Sequence, residues 1–129
     1  MKNSLMLAAL ALLIAGGAAE AATKILASGP VYGGNAPGFI MSCRLFNAGT
    51  GPVTVTARQI VLSSNAPALI TVNSCTGTLG ASKHCLFAGS LAVNQAFACR
   101  AVVSGTNPVV RGTAQLSSGN TILASEQMQ

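Results

Sequence analysis

The stretch CTGTLGASKHC, residues 75–85, holds the residue types best suited to chemistry in this chain, namely two cysteines and the only histidine. A zinc site needs a tetrahedral set of ligands, typically with closely spaced cysteine pairs, and the chain has no such pair. His84 and Cys85 are neighbours, so on an extended strand they point to opposite faces and cannot easily share an ion. A C-x-x-C redox motif is absent as well. We therefore predict no metal site and no cofactor.

Acid–base groups are almost absent from the chain. Catalysis by proton transfer usually relies on a positioned His, Asp or Glu, and the chain has one histidine, two glutamates and no aspartate. Glu20 belongs to the N-terminal leader described below, and Glu126 lies close to a C-terminus that we expect to be frayed. These counts exclude a Ser-His-Asp triad and a carboxylate pair, and no phosphate-binding glycine motif occurs. We predict that the protein is not an enzyme.

The four cysteines are better explained as two disulfides. Cysteines in even number usually pair in the oxidising compartments that an exported chain reaches. Three pairings are possible, and we favour Cys43–Cys99 with Cys75–Cys85. Cys43 and Cys99 each lie mid-strand on the inferred inward face, so their bond would join two layers of the fold. Cys75 and Cys85 flank a loop of small residues that can fold back on itself.

The N-terminus has the form of a secretory signal peptide. Lys2 precedes an apolar run over residues 5–15, and an A-x-A cleavage site follows at Ala19-Glu20-Ala21. We predict a signal peptide over residues 1–21, one domain over residues 22–129, and a periplasmic or secreted location. The alternative is an uncleaved anchor. Because the run is shorter than the about 20 residues of a membrane helix, we expect no transmembrane segment after cleavage.

The remaining chain alternates between apolar and polar residues with period two, which is typical of half-buried strands. The inward positions of FIMSCRLFN are Phe39, Met41, Cys43 and Leu45, and those of QAFACRAVV are Phe97, Cys99, Ala101 and Val103. In PVTVTARQIVL the pattern predicts Ala57 inward and Arg58 outward, then slips near Gln59, where we expect a bulge or a change of sheet.

Turn signals at NAGTGP and SSGN separate strands at a spacing of about ten residues. A short strand is expected over residues 68–74, and residues 29–38 form the loosest stretch. Seven or eight short strands of this kind predict an all-β fold with the architecture of a β-sandwich.

Basic residues outnumber acidic ones, and the formal net charge is +5. After the leader they are Lys24, Arg44, Arg58, Lys83, Arg100 and Arg111. They are spread singly, without a Lys/Arg cluster or interleaved aromatic residues, so we expect no nucleic-acid partner. The simplest interpretation is that scattered cations keep the domain soluble. The alternative is an anionic partner such as a lipid headgroup or an acidic glycan.

Two stretches, LFNAGTGPVTVTARQIVLSSN and VNSCTGTLGASKHC, resemble the immunoglobulin-like repeats of bacterial secreted proteins of the Hydin-like and choice-of-anchor type. Those repeats carry an N-x-G-T turn before a Val/Thr-rich strand, and later two cysteines that enclose a leucine and a small-residue turn. The matching positions are Asn47, Gly49, Thr50, Cys75, Leu79 and Cys85. The resemblance implies a disulfide-stabilised immunoglobulin-like β-sandwich with a non-catalytic adhesive or scaffolding role. It supplies no ligand and no binding residue.

We therefore predict a small exported, non-catalytic binding or structural module, whose partner is an unknown protein or cell-envelope component. Loops or an exposed sheet edge usually carry binding on rigid sandwiches. One alternative is a subunit of a surface fibre assembled by strand addition, with residues 22–32 as the donated segment. Another is an inhibitor or immunity-type protein that acts on a secreted enzyme through a cationic loop at Lys83 and His84.

Overall fold

A computed structural model describes residues 20–129 of the chain. The predicted signal peptide, residues 1–21, therefore lies almost entirely outside the described residues. The first strand begins at Ala22. Within residues 20–129 there is no helix with the length and apolar character needed to cross a membrane.

The regular elements of residues 20–129 are all β-strands. In chain order they are β1 (Ala22–Ala27), β2 (Val31–Tyr32), β3 (Phe39–Asn47), β4 (Val53–Leu62), β5 (Val72–Asn73), β6 (Gly77–Leu79), β7 (His84–Leu91), β8 (Ala96–Gly105), β9 (Val110–Ser118) and β10 (Thr121–Met128). Strands β2, β5 and β6 have only two or three residues. The other strands are longer, and the predicted all-β fold class is confirmed.

The strands form two five-stranded antiparallel sheets. The first sheet has the order β1-β8-β4-β6, and β2 also pairs with β8. The second sheet has the order β10-β9-β3-β7-β5. The connections from β3 to β4 and from β7 to β8 pass from the second sheet to the first, and the two sheets pack face to face. The predicted disulfide-stabilised β-sandwich is confirmed in this architecture, with ten strands where seven or eight were expected.

The core lies between the sheets and is built from the inward positions of the alternating strands. The inward positions predicted for β3 and β8 are confirmed, since seven of them are at most 1% exposed: Met41, Cys43, Leu45, Phe97, Cys99, Ala101 and Val103. Phe39, at the start of β3, is half-buried. Each large apolar side chain buried in this way contributes roughly 1.5–3 kcal/mol, so this layer supplies most of the driving force for folding.

Both predicted disulfides are present. Cys43 of β3 and Cys99 of β8 join the two sheets in the middle of the core, with their Cα atoms 5.8 Å apart. An inter-sheet disulfide within the core is also a hallmark of antibody domains. Cys75 and Cys85 close a short ring, with a Cα–Cα distance of 5.0 Å.

The predicted bulge in β4 lies at Thr56, N-terminal to the expected position. The register against β8 shifts immediately after Val55. Beyond the shift Arg58 pairs with Ala101, which faces the core. Arg58 is therefore on the inward side of the sheet and Ala57 on the outward side, so the predicted faces of these two residues are wrong. One extra residue in a strand exchanges the two faces for every residue that follows.

Residues 68–85 contain two short strands, one in each sheet, where one short strand and a loop were expected. The short strand expected over residues 68–74 is reduced to β5, which pairs with β7. The stretch between Cys75 and Cys85 is more than a turn, because it contains β6, which pairs with β4 in the first sheet. His84 then opens β7 in the second sheet. It is a strand residue rather than the loop residue that the sequence suggested.

The C-terminus is held by the sandwich, contrary to the prediction of a frayed end. Met128 is buried, and Gln129 exchanges two backbone hydrogen bonds of 3.0 Å with Ala27. Glu126 accordingly belongs to a paired strand. Residues 29–38, predicted to be the loosest stretch, contain β2, in which Val31 is buried.

Candidate functional site

Strand β3 places Arg44 and Phe46 on the outer face of the second sheet. Cys43 and Leu45 face the core and have no exposed surface. Because side chains alternate along a strand, the residues between and after them point outward. Phe46 is 43% exposed. A phenylalanine on the outside of a sheet adds little to the core, so its neighbours decide what it can do.

The neighbouring strands bring two polar side chains to Phe46. Strand β9 pairs Phe46 with Arg111, and β7 pairs it with His84. Residues directly opposite on antiparallel strands have their side chains on the same face, and neighbouring strands lie about 4.8 Å apart. Phe46 therefore lies between Arg111 and His84 in one row across the sheet. Arg44 lies in the next row, about 7 Å away along β3.

Arg44, Phe46, His84 and Arg111 form what we call the basic cluster. Together with Leu45 and Thr113 they line an open cavity of about 340 Å³. The Nε atom of Arg44 donates a hydrogen bond of 2.9 Å to Oε1 of Gln115. A guanidinium carries five N–H donors, so this bond orients the Arg44 side chain and leaves the donors on its two Nη atoms for a ligand.

No side-chain carboxylate of residues 20–129 lies in the rows of the basic cluster. The acidic residues in this range are Glu20 and Glu126. Glu126 pairs with Ala114, whose side chain faces the core, so Glu126 is not on the outer face. Glu20 precedes β1, which belongs to the first sheet. The cluster is consequently a positively charged surface, and such surfaces attract anions.

Asn47 stabilises the end of β3 that carries the basic cluster. Its side chain has no exposed surface. The Nδ2 atom donates to the carbonyl oxygens of Gly51 (2.9 Å) and Leu79 (3.0 Å), and Oδ1 accepts from the backbone N–H of Gly49 (3.0 Å). The backbone N–H of Asn47 donates to the carbonyl of Lys83 at 2.9 Å. One buried side chain thus joins the β3–β4 turn to β6, and its backbone adds the turn before β7.

The two residues of the predicted cationic loop belong to different elements of the structure. Lys83 is exposed in the turn that precedes β7, whereas His84 lies beside Phe46 in the basic cluster. Sequence reasoning did not group His84 with Arg44 and Arg111. A partial signal was available, because Arg44 and Phe46 both occupy outward positions of an alternating strand. Their proximity to Arg111 follows only from the register between β3 and β9.

A larger cavity, of about 690 Å³, lies at the same end of the sandwich. It is lined mainly by the β3–β4 loop, the β8–β9 loop and the hydroxyl-bearing residues Thr54, Thr78 and Ser104. None of its lining residues is charged. It offers hydrogen bonds but no charge that would select or orient a ligand, so we take the basic cluster as the candidate site.

Among residues 20–129, no three His, Cys, Asp or Glu side chains lie close enough together to hold a metal ion. The four cysteines all participate in the two disulfides. Comparisons of the chain with models of protein families, with curated proteins and with solved structures find no significant match. Fold and site therefore define a class only: a disulfide-stabilised β-sandwich protein with a basic and aromatic cluster on one outer face.

Proposed function

We propose that the protein is an exported, non-catalytic binding module that holds an anionic partner against the basic cluster. The observation that carries this proposal is the row of Arg111, Phe46 and His84, with Arg44 beside it. A guanidinium can bind a carboxylate, sulfate or phosphate through two parallel hydrogen bonds. Three paired strands hold these side chains, so the site needs little ordering when a ligand binds.

Export is supported by the signal-peptide pattern of residues 1–21 and by the two disulfides, which persist in the periplasm or outside the cell. Strand β1 begins at Ala22, directly after the A-x-A site. Cleavage there would remove nothing from the sandwich. Intact mass measurement of the exported protein tests this step, and we expect an N-terminus at Ala22. A retained leader, or cleavage within β1, would contradict it.

The other hypotheses have less support. The scarcity of acid–base groups favours a non-catalytic role over an enzyme. Assembly by strand addition would require residues 22–32 to pair with a neighbouring subunit, yet β1 pairs with β8 of its own chain throughout Ala22–Ala27. An inhibitor of a secreted enzyme could use the same outer face, in which case the anionic partner would be an acidic protein surface.

The test is binding to a polyanion, with dextran sulfate as the probe and unsulfated dextran as its neutral counterpart. We expect dextran sulfate alone to bind, and its affinity to fall as salt rises. Replacing both cluster arginines, Arg44→Gln with Arg111→Gln, should lower the affinity at least about tenfold, since charge-assisted hydrogen bonds are lost. Isothermal titration calorimetry on the purified protein measures these affinities.

A matched control is available on the other sheet. Arg100 lies on the outer face of the first sheet, opposite Ala27 on β1 and Gln59 on β4. Arg100→Gln removes the same charge as Arg44→Gln, and we expect it to change the affinity less than about twofold, because long-range charge is screened. If Arg100→Gln weakens binding as much as Arg44→Gln, binding follows net charge and the proposed site is wrong.

A further inference from the structure

We infer that the anionic partner is an acidic polysaccharide, which packs a sugar ring on Phe46 and places its carboxylate on the guanidinium groups of Arg44 and Arg111. This inference rests on the proposed function and adds the chemical class of the ligand. The ligand is identified by two features that the basic cluster can bind: an apolar ring face and a negative charge close to it.

The exposed ring of Phe46 is the first step. It is 43% exposed and lines the cavity between Arg111 and His84. An inorganic anion or an acidic peptide could satisfy the arginines and would leave the ring unused. A sugar ring has a face of C–H groups that packs on an aromatic ring, while its hydroxyl groups stay at the rim. Phe46 therefore favours a ligand that carries a ring next to its charge.

The order of side chains along the row is the second step. Arg111, Phe46 and His84 follow one another on β9, β3 and β7, and the outer two strands are about 10 Å apart. A linear acidic polysaccharide also presents ring faces and carboxylates in alternation. The cavity is open to solvent rather than enclosed, as a chain that continues beyond the bound residue requires. Its volume of about 340 Å³ lies at the small end of the range for small-molecule sites.

The polar groups around Phe46 match the remaining atoms of such a ligand. The Nη donors of Arg44 can bind a carboxylate, because only Nε is engaged by Gln115. Thr113 lies opposite Arg44 on β9 and lines the same cavity. Its hydroxyl, like the imidazole of His84, can both donate and accept a hydrogen bond. The cluster thus combines guanidinium groups for the charge with a hydroxyl and an imidazole for the sugar hydroxyls.

Other anionic partners fit these observations less well. A membrane-binding surface needs several apolar side chains that enter the lipid, whereas Phe46 is flanked by Arg111 and His84 in its row. Single-stranded nucleic acid is usually held by several stacked aromatic side chains, and the cluster has one. An acidic glycan can be held by a single aromatic side chain and a few cations, and the cluster contains both.

The experiment compares three probes: oligogalacturonate, its methyl ester, which keeps the rings without the charge, and polyglutamate, which keeps the charge without the rings. We expect oligogalacturonate to bind more tightly than either of the others. Phe46→Ala should weaken oligogalacturonate binding about tenfold and leave polyglutamate binding within about twofold. Phe46→Tyr keeps the aromatic face and should restore the affinity for oligogalacturonate. Circular dichroism checks that each variant is folded.

The outcomes separate this inference from the proposed function. If polyglutamate binds as tightly as oligogalacturonate and Phe46→Ala changes neither, the glycan inference is overturned while the anion-binding function stands. Anionic phospholipid vesicles serve as a fourth probe, and their binding without binding of oligogalacturonate overturns the inference in favour of a membrane surface. If no probe binds, dextran sulfate included, or if Arg100→Gln acts like Arg44→Gln, the proposed function fails as well.

Discussion

The two outer faces of the sandwich differ in how they arrange charge. On the second sheet the basic cluster groups two arginines and a histidine around an exposed aromatic ring. On the first sheet Arg100 lies opposite Ala27 and Gln59, neither of which is charged or aromatic. The two faces belong to one small fold and are built from strands of similar length. The exposed Tyr32 of the first sheet pairs with Ala96, so no cation lies directly opposite its ring.

Strand pairing rather than proximity in sequence produces this difference. Arg44 and Arg111 lie far apart in the chain and meet because β3 and β9 are neighbours in the second sheet. The same kind of pairing leaves Arg100 isolated, because its partners on β1 and β4 are uncharged. A chain with few charges can therefore form a charged site if the register places them in adjacent rows.

The faces also differ in what supports them. The end of the second sheet that carries the basic cluster is held by Asn47 and by the ring that Cys75 and Cys85 close. The Cys43–Cys99 disulfide joins a strand of each sheet and therefore connects both faces. Loss of the Cys43–Cys99 disulfide should therefore affect both faces, whereas loss of Asn47 or of the Cys75–Cys85 ring should affect mainly the face with the basic cluster.

Removing the inter-sheet disulfide should have the largest effect and should not distinguish the faces. The double substitution Cys43→Ala with Cys99→Ala opens a loop with a sequence separation of 56. We expect the free energy of unfolding to fall by about 4 kcal/mol, chiefly because the unfolded chain becomes less constrained. Urea unfolding followed by far-UV circular dichroism measures it. A loss below about 1 kcal/mol would show that core packing alone holds the sheets together.

Removing the short ring should affect mainly the face that carries the basic cluster. Its sequence separation is 10, so Cys75→Ala with Cys85→Ala should lower the free energy of unfolding by about 3 kcal/mol. Amide hydrogen exchange should accelerate over residues 47–52 and 80–85 more than over residues 97–103. Equal acceleration in both regions would mean that the ring supports the whole fold rather than one end.

The sequence predicted those parts of the fold that depend on alternation within a single strand. The inward faces of β3 and β8 followed from period two, and the pairing of Cys43 with Cys99 followed from those faces. Strand β6 could not be predicted in the same way, because three residues are too few to show a period. The bulge at Thr56 was expected in β4, but its position depends on contacts with β8 that the local pattern does not contain.

The candidate site was less predictable than the fold. The outward positions of Arg44 and Phe46 follow from the same alternation as the core. Their association with Arg111 and His84 depends on which strands are neighbours and in which register, and a single sequence does not specify either. Asn47 was singled out only through the resemblance, and its hydrogen bonds now give a physical reason for an asparagine at that turn.

Asn47→Ala tests the support of the cluster without touching a disulfide. The substitution removes the partners of two carbonyl oxygens and one N–H group at a buried position. We expect the free energy of unfolding to fall by about 2 kcal/mol, and dextran sulfate binding to weaken as the end of β3 loosens. Asn107→Ala, at an exposed position in the β8–β9 loop of the same end, should change stability by less than about 0.5 kcal/mol. Equal effects of the two substitutions would contradict the role of Asn47.

The smallest expected effect compares one arginine on each face with its cross-strand glutamine neighbour. Arg44 donates a hydrogen bond to Gln115. Arg100 and Gln59 lie opposite one another on β8 and β4, and within residues 20–129 their side chains form no such bond. A double-mutant cycle of Arg44→Ala and Gln115→Ala should give a coupling free energy of about 0.5 kcal/mol, as is usual for exposed polar pairs. The cycle of Arg100→Ala and Gln59→Ala should give a value near zero. If both cycles give zero, Gln115 does not orient Arg44, and the guanidinium must be positioned by the ligand instead.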